Sequence, residues 1–89
     1  RRRKVEVKVL LAPHVIRWAR EILPYSVVAE SETPAGVMMT LRIEDEREIV
    51  QWLLGWGAGV HVIEPETLQQ RLINEAHKLI DAYTDARKL

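Results

Sequence analysis

Few side chains in this sequence have the type and spacing that chemistry requires. The three histidines, His14, His61 and His77, fall on three different predicted elements. None is followed by a second histidine three or four residues later, the spacing that places two metal ligands on one face of a helix. We therefore expect structural or surface roles for the histidines, no metal site and no cofactor.

Carboxylates cluster at Glu44, Asp45, Glu46 and Glu48, where a helix is predicted to begin. Asp45 can accept a hydrogen bond from the backbone N–H of Glu48, and acidic residues suit the positive end of a helix dipole. Capping explains the cluster better than acid–base catalysis does. The sequence also contains no G-x-S-x-G and no dinucleotide-binding motif, so we expect no catalytic residue and no enzymatic activity.

A glycine-rich stretch, G-W-G-A-G, superficially resembles a phosphate-binding loop. It follows a predicted helix and precedes a predicted strand, so it presents no helix N-terminus to an anion. We interpret it as a helix cap and chain reversal, with Gly55 in the left-handed conformation and Trp56 folded back on the last turn. An exposed anchor for a partner is the other interpretation of Trp56. Gly57 and Gly59 loosen the reversal, and Pro65 is expected in the first turn of the next helix.

Two arginines flank a tryptophan on the predicted first helix, at Arg17, Trp18 and Arg20. Such a group could stack on and neutralise a single-stranded nucleic acid, and Arg42 is a further candidate contact for nucleic acid or a small effector. An amphipathic helix with a solvated polar face explains the same residues, and we favour that interpretation. For the basic run Arg1–Lys4 we likewise favour a solvated linker over a nucleic-acid contact.

Composition sets the class of the protein. The chain has 89 residues, 47% hydrophobic and 29% charged, which indicates one small folded domain. Thirteen basic and thirteen acidic residues cancel, so the overall charge predicts no attraction to nucleic acid or to a membrane. The absence of cysteine excludes disulfides and thiol chemistry and fits a reducing cytoplasm. No apolar run is long enough to span a bilayer, and we expect a cytoplasmic location without membrane contact.

Hydrophobic periodicity predicts alternating strands and helices. In chain order these are a strand over 5–11, a helix over 13–23, a strand over 25–30, a turn over 32–36, a strand over 37–43, a helix over 45–54, a strand over 60–63 and a helix over 65–88. In the second strand, Val27 and Ala29 are expected on one side. The order predicts an α+β, ferredoxin-like βαββαβ fold, with a four-stranded antiparallel sheet, two helices on one face and an additional C-terminal helix.

The last predicted helix is long for so small a domain. Its apolar face includes Leu72, Leu79 and Tyr83, which we single out as candidates for self-association. The free face of the sheet needs cover, and either this helix or a partner chain is expected to supply it. A standard interface buries about 800 Å² per partner, which one such helix could supply.

Two segments resemble a known family. The sequence W-L-L-G-W-G at 52–57, followed by V-H-V-I-E-P-E-T-L at 60–68, is similar to the C-terminal extension (WCX domain) of bacterial WYL-domain transcriptional regulators. The V-x-V-x-V strand at 5–9, the A-P-x-V-x-x-W helix start at 12–18 and the hairpin before D-E-R-E at 45–48 agree with it. The resemblance covers nearly the whole chain, so we treat 1–89 as a single domain of this kind, with 1–4 as the linker from an upstream domain.

The resemblance implies a function that depends on other domains of such regulators. Such regulators carry an N-terminal helix-turn-helix that binds DNA and a central WYL domain that binds an effector, in some members single-stranded DNA. The extension is similar to a ferredoxin-like domain and contributes to dimerisation or to relay of the effector signal. Our leading hypothesis is therefore a non-catalytic, homodimerising relay domain. The alternative is a small-ligand-binding regulatory module, with the segment from Gly55 to Gly59 as its ligand loop.

Overall fold

The computed structural model describes residues 4–84. The described elements, in chain order, are β1 (Val5–Leu11), α1 (Ile16–Glu21), β2 (Ser26–Thr33), β3 (Gly36–Ile43), a 3₁₀ turn (Glu46–Ile49), α2 (Val50–Trp56), a second 3₁₀ turn (Gly57–Gly59), β4 (Val60–Glu64) and α3 (Glu66–Thr84). An α+β architecture with a four-stranded sheet is confirmed. The predicted linker residues 1–3 and the predicted helix end at 85–88 lie outside the described residues.

The four strands form one sheet in the order β2-β3-β1-β4, and every neighbouring pair is antiparallel. In the central pair, Val7 lies opposite Leu41 and Val9 opposite Met39. A two-residue loop, Pro34-Ala35, closes the β2–β3 hairpin between Thr33 and Gly36. The central strands therefore hold the sheet together, while β2 and β4 are its edges.

One face of the sheet carries the core, because alternate residues of a strand point to the same side. On β1 and β3 the odd-numbered positions are buried, as the period-two pattern predicts, except Val5 at the start of β1, which is partly buried. The two helices and the first turns of α3 complete the core with apolar side chains. The buried hydrophobic residues are Val7, Val9, Leu11, Val15, Ala19, Val37, Met39, Leu41, Ile43, Ile49, Val50, Leu53, Val60, Val62 and Leu68.

The opposite face of the sheet is not covered by α3. Helix α3 inserts Leu68 into the core, and the Gln69 amide donates to the carbonyls of Val62 and Ile63 at 2.8 and 3.3 Å. It thus runs beside β4 on the core side. The side chains that point to the other face stay at least partly exposed. These are Glu6, Lys8, Leu10, Met38, Thr40 and Arg42. The expectation that the last helix covers this face was wrong; a partner chain remains the untested alternative.

Helix α1 is shorter than the predicted helix over 13–23. Pro13 lies in a turn before the helix, and no side chain caps the N-terminus at Val15. So short a helix buries only one narrow stripe, Val15 and Ala19, which are four residues apart. Trp18 and Ile22 lie outside this stripe and are 55% and 61% exposed.

Strand β2 contains an irregularity that alternation alone does not reveal. The register with β3 shifts between Val27 and Ala29, so that Val27 lies opposite Leu41 and Ala29 opposite Thr40. Leu41 is buried in the core, whereas Thr40 points to the free face. The prediction that Val27 and Ala29 share one side was therefore wrong, because the extra residue of a bulge reverses the alternation after it.

The chain reversal after α2 depends on Gly57 rather than on Gly55. Gly57 has φ 59° and its N–H donates to the carbonyl of Leu54, whereas Gly55 lies inside the helix. The helix continues through Trp56 because that ring packs edge-on against Trp52, one turn earlier, at a centroid distance of 5.9 Å. Trp56 is thus half-buried against its own helix. The predicted cap at Gly55 was displaced by two residues.

Both predicted helix starts are present with altered geometry. The Asp45 carboxylate accepts from the N–H of Arg47 at 2.9 Å, not from that of Glu48, since the first turn is a tighter 3₁₀ turn. Pro65 immediately precedes α3, and its carbonyl accepts from the N–H of Gln69 at 3.3 Å. It is therefore the N-cap residue rather than the first helical residue.

Gly36 should tolerate no side chain. Its φ is +139°, and a Cβ built there would lie 2.0 Å from the carbonyl oxygen of Leu11. We expect Gly36→Ala to lower the free energy of unfolding by at least about 2 kcal/mol. Gly55→Ala is the matched control: it meets no atom within 4 Å and should stabilise the helix by about 0.5–1 kcal/mol. Urea denaturation of both variants measures the difference, and equal midpoints would contradict it.

The Asp45 cap should make stability depend on pH at the acid end. Hydrogen bonds from the Arg47 side chain and from its backbone N–H hold the pKa of the Asp45 carboxyl well below its usual value of 3.8. A folded-state pKa below the unfolded one stabilises the fold above pH 3.8, and that contribution is lost as the pH falls further. Asp45→Ala should therefore lower the Tm at pH 7 and have a smaller effect at pH 2.

Asp45→Asn is the control for this comparison, since asparagine caps helices about as well as aspartate without the charge. It should recover the part of the Tm that the cap contributes at pH 7 but lose the dependence on acid pH that the charge contributes. An acid-dependent Tm in Asp45→Asn equal to that of the wild type would show that the Asp45 charge does not carry the effect.

Candidate functional site

The residues proposed to contact nucleic acid do not converge. Arg17, Trp18 and Arg20 lie on α1, on the core side of the sheet, whereas Arg42 points to the free face and pairs with Glu6 at 2.9 Å. The Arg17 guanidinium lies 5.4 Å from the centroid of the Trp18 ring and occupies one face of it. These four residues therefore do not form one continuous surface.

Arg20 is committed to an ion pair within the domain. Its guanidinium donates two hydrogen bonds to the Glu30 carboxylate, at 2.6 and 3.0 Å, and links α1 to the edge strand β2. Hydrogen bonding to Arg20 lowers the pKa of the Glu30 carboxyl and raises that of the arginine. A nucleic acid phosphate would have to compete with this carboxylate, so Arg17 and Trp18 are left as the accessible pair on α1.

An aromatic cluster ties α2 to the segment after α1. Trp52 packs edge-on against Tyr25 and against Trp56, each at a centroid distance of 5.9 Å. Its indole N–H donates to the carbonyl of Ile22 at 3.1 Å, and the Tyr25 hydroxyl donates to that of Glu48 at 3.2 Å. Such contacts stabilise by about 0.5–1.5 kcal/mol beyond area burial. The cluster therefore has a structural role, which is to hold α2 against the segment that follows α1.

A polar hollow of about 500 Å³ lies between α2 and α3. Arg47, Arg71 and Lys78 line it, together with Asn74 and Glu75. The three cations pair with Asp45, Glu46 and Glu75 respectively. Their charges are thus compensated within the domain, which leaves little excess positive potential to hold a phosphate.

The glycine-rich reversal forms one wall of an apolar groove. This groove, of about 300 Å³, lies between the end of α2, β4 and the middle of α3, and its mouth continues along β4 past Ala58 and His61. We call it the α2–α3 groove. Its inner walls are apolar, and the residues that line them are Leu53, Leu54, Gly57, Val60, Leu72, Ile73 and Ala76.

Helix α3 divides into a buried half and an exposed half. Leu68 is completely buried and Leu72 packs against the core, but every residue from Ala76 to Thr84 is exposed. Of the three self-association candidates, Leu72 is thus half-buried in the groove wall, while Leu79 and Tyr83 are 60% and 79% exposed. Ile73 and Ile80 belong to the same exposed face, with 48% and 57% of their surface accessible.

The α2–α3 groove was not foreseen from the sequence. The strand and helix patterns show that Leu53, Val60 and Leu72 are apolar, but not that they leave a gap where their elements meet. The i, i+4, i+7, i+11 spacing of Leu72, Ala76, Leu79 and Tyr83 was the available signal, because it runs unbroken past the part of α3 that the core can cover.

Two other classes of site have no counterpart in residues 4–84. No group of three or more histidine, aspartate or glutamate side chains is placed to hold a metal ion in this part of the chain. Among the same residues, no helix has the length and apolar character that crossing a bilayer requires.

Comparison with known proteins agrees with the sequence motifs. No match was found among curated proteins. The family model of the WCX domain matches residues 3–80, which include all four strands and most of α3. WCX domains are associated with WYL-type regulators. With the greater part of the sequence matched by one family model, the chain belongs to the WCX domain family.

Proposed function

We propose that this domain is a non-catalytic self-association and effector-relay domain of a WYL-type bacterial transcriptional regulator that acts in the cytoplasm. The observation that carries the proposal is the exposed apolar face of α3, with Leu79, Ile80 and Tyr83 each more than half accessible. Removing one such side chain from water is worth about 1.5–3 kcal/mol. A helix with this face exposed favours an apolar partner.

The relay part of the proposal rests on how α3 is joined to α2. The Glu46 carboxylate, at the start of the 3₁₀ turn before α2, accepts from the Thr67 hydroxyl at 2.8 Å and from Arg71 Nε at 3.1 Å. Both partners lie in the first two turns of α3. A displacement of α2 is therefore passed to α3 through a short, charge-assisted link.

The proposal includes a ferredoxin-like fold and further domains of the same chain. The strand order β2-β3-β1-β4 supports the fold, since two interleaved βαβ units give this order. A helix-turn-helix and a WYL domain would precede the domain. The free face of the sheet, with its Arg42–Glu6 ion pair, is available to such a neighbour.

Single-stranded nucleic acid as a shared effector would reach this domain chiefly at Arg17 and Trp18. The exposed indole offers its free face for stacking on a base. Charge reversal at Arg17 in the full-length regulator, with Arg42→Glu as the comparison on the opposite face of the sheet, tests that contact. Unchanged effector affinity in both variants would rule out this contact.

The second candidate function is a small-ligand-binding module, and the α2–α3 groove beside the glycine-rich reversal favours it. An amino acid ligand would need partners for its charges. Among the groove residues the Gln69 amide already bonds the carbonyls of β4, which leaves His61 at the mouth. Isothermal titration against a metabolite panel tests this function, and uniformly flat traces would eliminate it.

Self-association predicts that substitutions on two opposite faces of α3 have very different effects on the dimer dissociation constant. Leu79→Asp places a charge on the apolar face and should raise the dimer dissociation constant at least about tenfold, since loss of one buried anchor costs more than about 1.4 kcal/mol. His77→Asp introduces the same residue at an exposed position on the opposite side of the helix and should change the constant less than about threefold. Light scattering over a wide concentration range measures both.

A wild-type chain that stays monomeric at the highest concentrations would contradict self-association. Equal effects of Leu79→Asp and His77→Asp would instead show that the interface lies elsewhere on the domain.

A further inference from the structure

The apolar face of α3 is continuous across the boundary between its buried and exposed halves. At about 100° per residue, Leu72, Ala76 and Tyr83 lie within about 40° of one another around the helix axis. The inner part of this face is a wall of the α2–α3 groove, and the outer part is exposed. The groove therefore opens directly onto the exposed face of the same helix.

Ala76 lies where the buried part of this face passes into the exposed part. Leu68, eight residues earlier, is fully buried, whereas Leu79 and Tyr83, three and seven residues later, are 60% and 79% exposed. At about 1.5 Å per residue, Leu68 lies about 12 Å and Tyr83 about 10 Å from Ala76 along the helix axis. Ala76 is also the smallest side chain on the face, and a small residue at a crossing point lets two helices approach closely.

We propose that the occupant of the α2–α3 groove is the outer half of α3 from a second copy of this chain, in a two-fold antiparallel contact that crosses at Ala76. This rests on the self-association proposed above and adds its geometry. Leu79 and Tyr83 of each copy enter the groove of the other, between α2 and β4. Because the contact is two-fold, the same exchange occurs twice.

Charge and polarity select this occupant over others. The inner walls of the groove carry no charged side chain, and His61 and Gln69 stand only at its mouth. The exposed face formed by Leu79, Ile80 and Tyr83 is likewise uncharged, whereas Lys78 and Asp81 lie on the other side of the helix. Burying this face in the groove thus leaves no charge without solvent or a partner.

Size predicts a reversible contact. Half the lateral surface of the helix from Leu68 to Tyr83, about 22 Å long and about 12 Å across, is about 415 Å². This is below the roughly 800 Å² per partner of a standard stable interface. The expectation that the helix alone could supply such an interface was therefore wrong, and the groove walls must supply the remainder. We therefore expect a dimer in the micromolar range, populated according to concentration.

The natural absence of cysteine makes the crossing point directly testable. Ala76→Cys places two thiols at the two-fold axis and should give a disulfide-linked dimer under mild oxidation at least about tenfold faster than His77→Cys, which faces away. Both positions are exposed, so neither substitution disturbs the core. Non-reducing electrophoresis over time measures the rates.

A second pair of variants tests the groove without altering α3. Ala58→Glu places a carboxylate at the mouth of the groove. The partner helix would partly remove this charge from water, so the dimer dissociation constant should rise at least about fivefold. Gln51→Glu adds the same charge to the exposed polar hollow on the other side of α2 and should change the constant less than about twofold.

The outcomes separate this geometry from the function on which it rests. Rapid cross-linking at Ala76→Cys together with selective weakening by Ala58→Glu supports the exchange. Suppose that the wild type dimerises but that Ala76→Cys cross-links no faster than His77→Cys, or that Ala58→Glu leaves the dimer dissociation constant unchanged. Either result overturns the geometry and leaves self-association standing. A monomer at all concentrations overturns both.

Discussion

The burial of one face of the β1–β3 strand pair is the constraint on which the rest of this structure depends. Their alternate apolar residues supply nearly half of the core, and each needs cover from the helix side. An 89-residue chain has little material for this, since it buries only about 60–65% of its unfolded surface. Two short helices are not enough, and the first turns of α3 complete the layer through Leu68 and Leu72.

The use of only the first turns of α3 in the core explains why one part of its apolar face is buried and the other part is exposed. Its first half belongs to the core, while every residue of its second half, from Ala76 to Thr84, is exposed. The polar contacts of α3 show the same boundary. Thr67, Gln69 and Arg71 all bond to neighbouring elements, whereas the described bonds of the outer half, from Lys78 and Thr84, stay within the helix. The domain thus fixes the helix at its base and leaves its outer half exposed.

Sequence reasoning succeeded where local pattern and global position agree. The alternation in β1 and β3 predicted both the strands and their buried side, and the motifs around Trp52 and Pro65 led to the family that the chain belongs to. It failed where a tertiary contact decides. The bulge in β2 leaves no mark on the apolar pattern, and α2 runs past Gly55 because Trp56 packs on Trp52. The exposure of Trp18 follows from the short length of α1, which composition does not reveal.

The candidate site was predictable only in part, for the same physical reason. The residues of α3 that could mediate self-association are visible from helical spacing, because one helix face is a local property. The α2–α3 groove is not, since it is the space left between three elements whose separation depends on side chains distant in sequence. The scatter of the arginine candidates has the same origin. Arg20 and Arg42 lie on opposite sides of the sheet, and each is already bound to a carboxylate.

The fixation of α3 at one end gives it the mechanics of a lever. The fulcrum is Leu68, seated in the core, and the Glu46 link to Thr67 and Arg71 lies within one turn of it. Tyr83 is about 22 Å farther along the axis at about 1.5 Å per residue, so a tilt of about 10° at the fulcrum displaces it by about 4 Å. A shift too small to disturb the core is thereby magnified at the tip to nearly the width of a side chain.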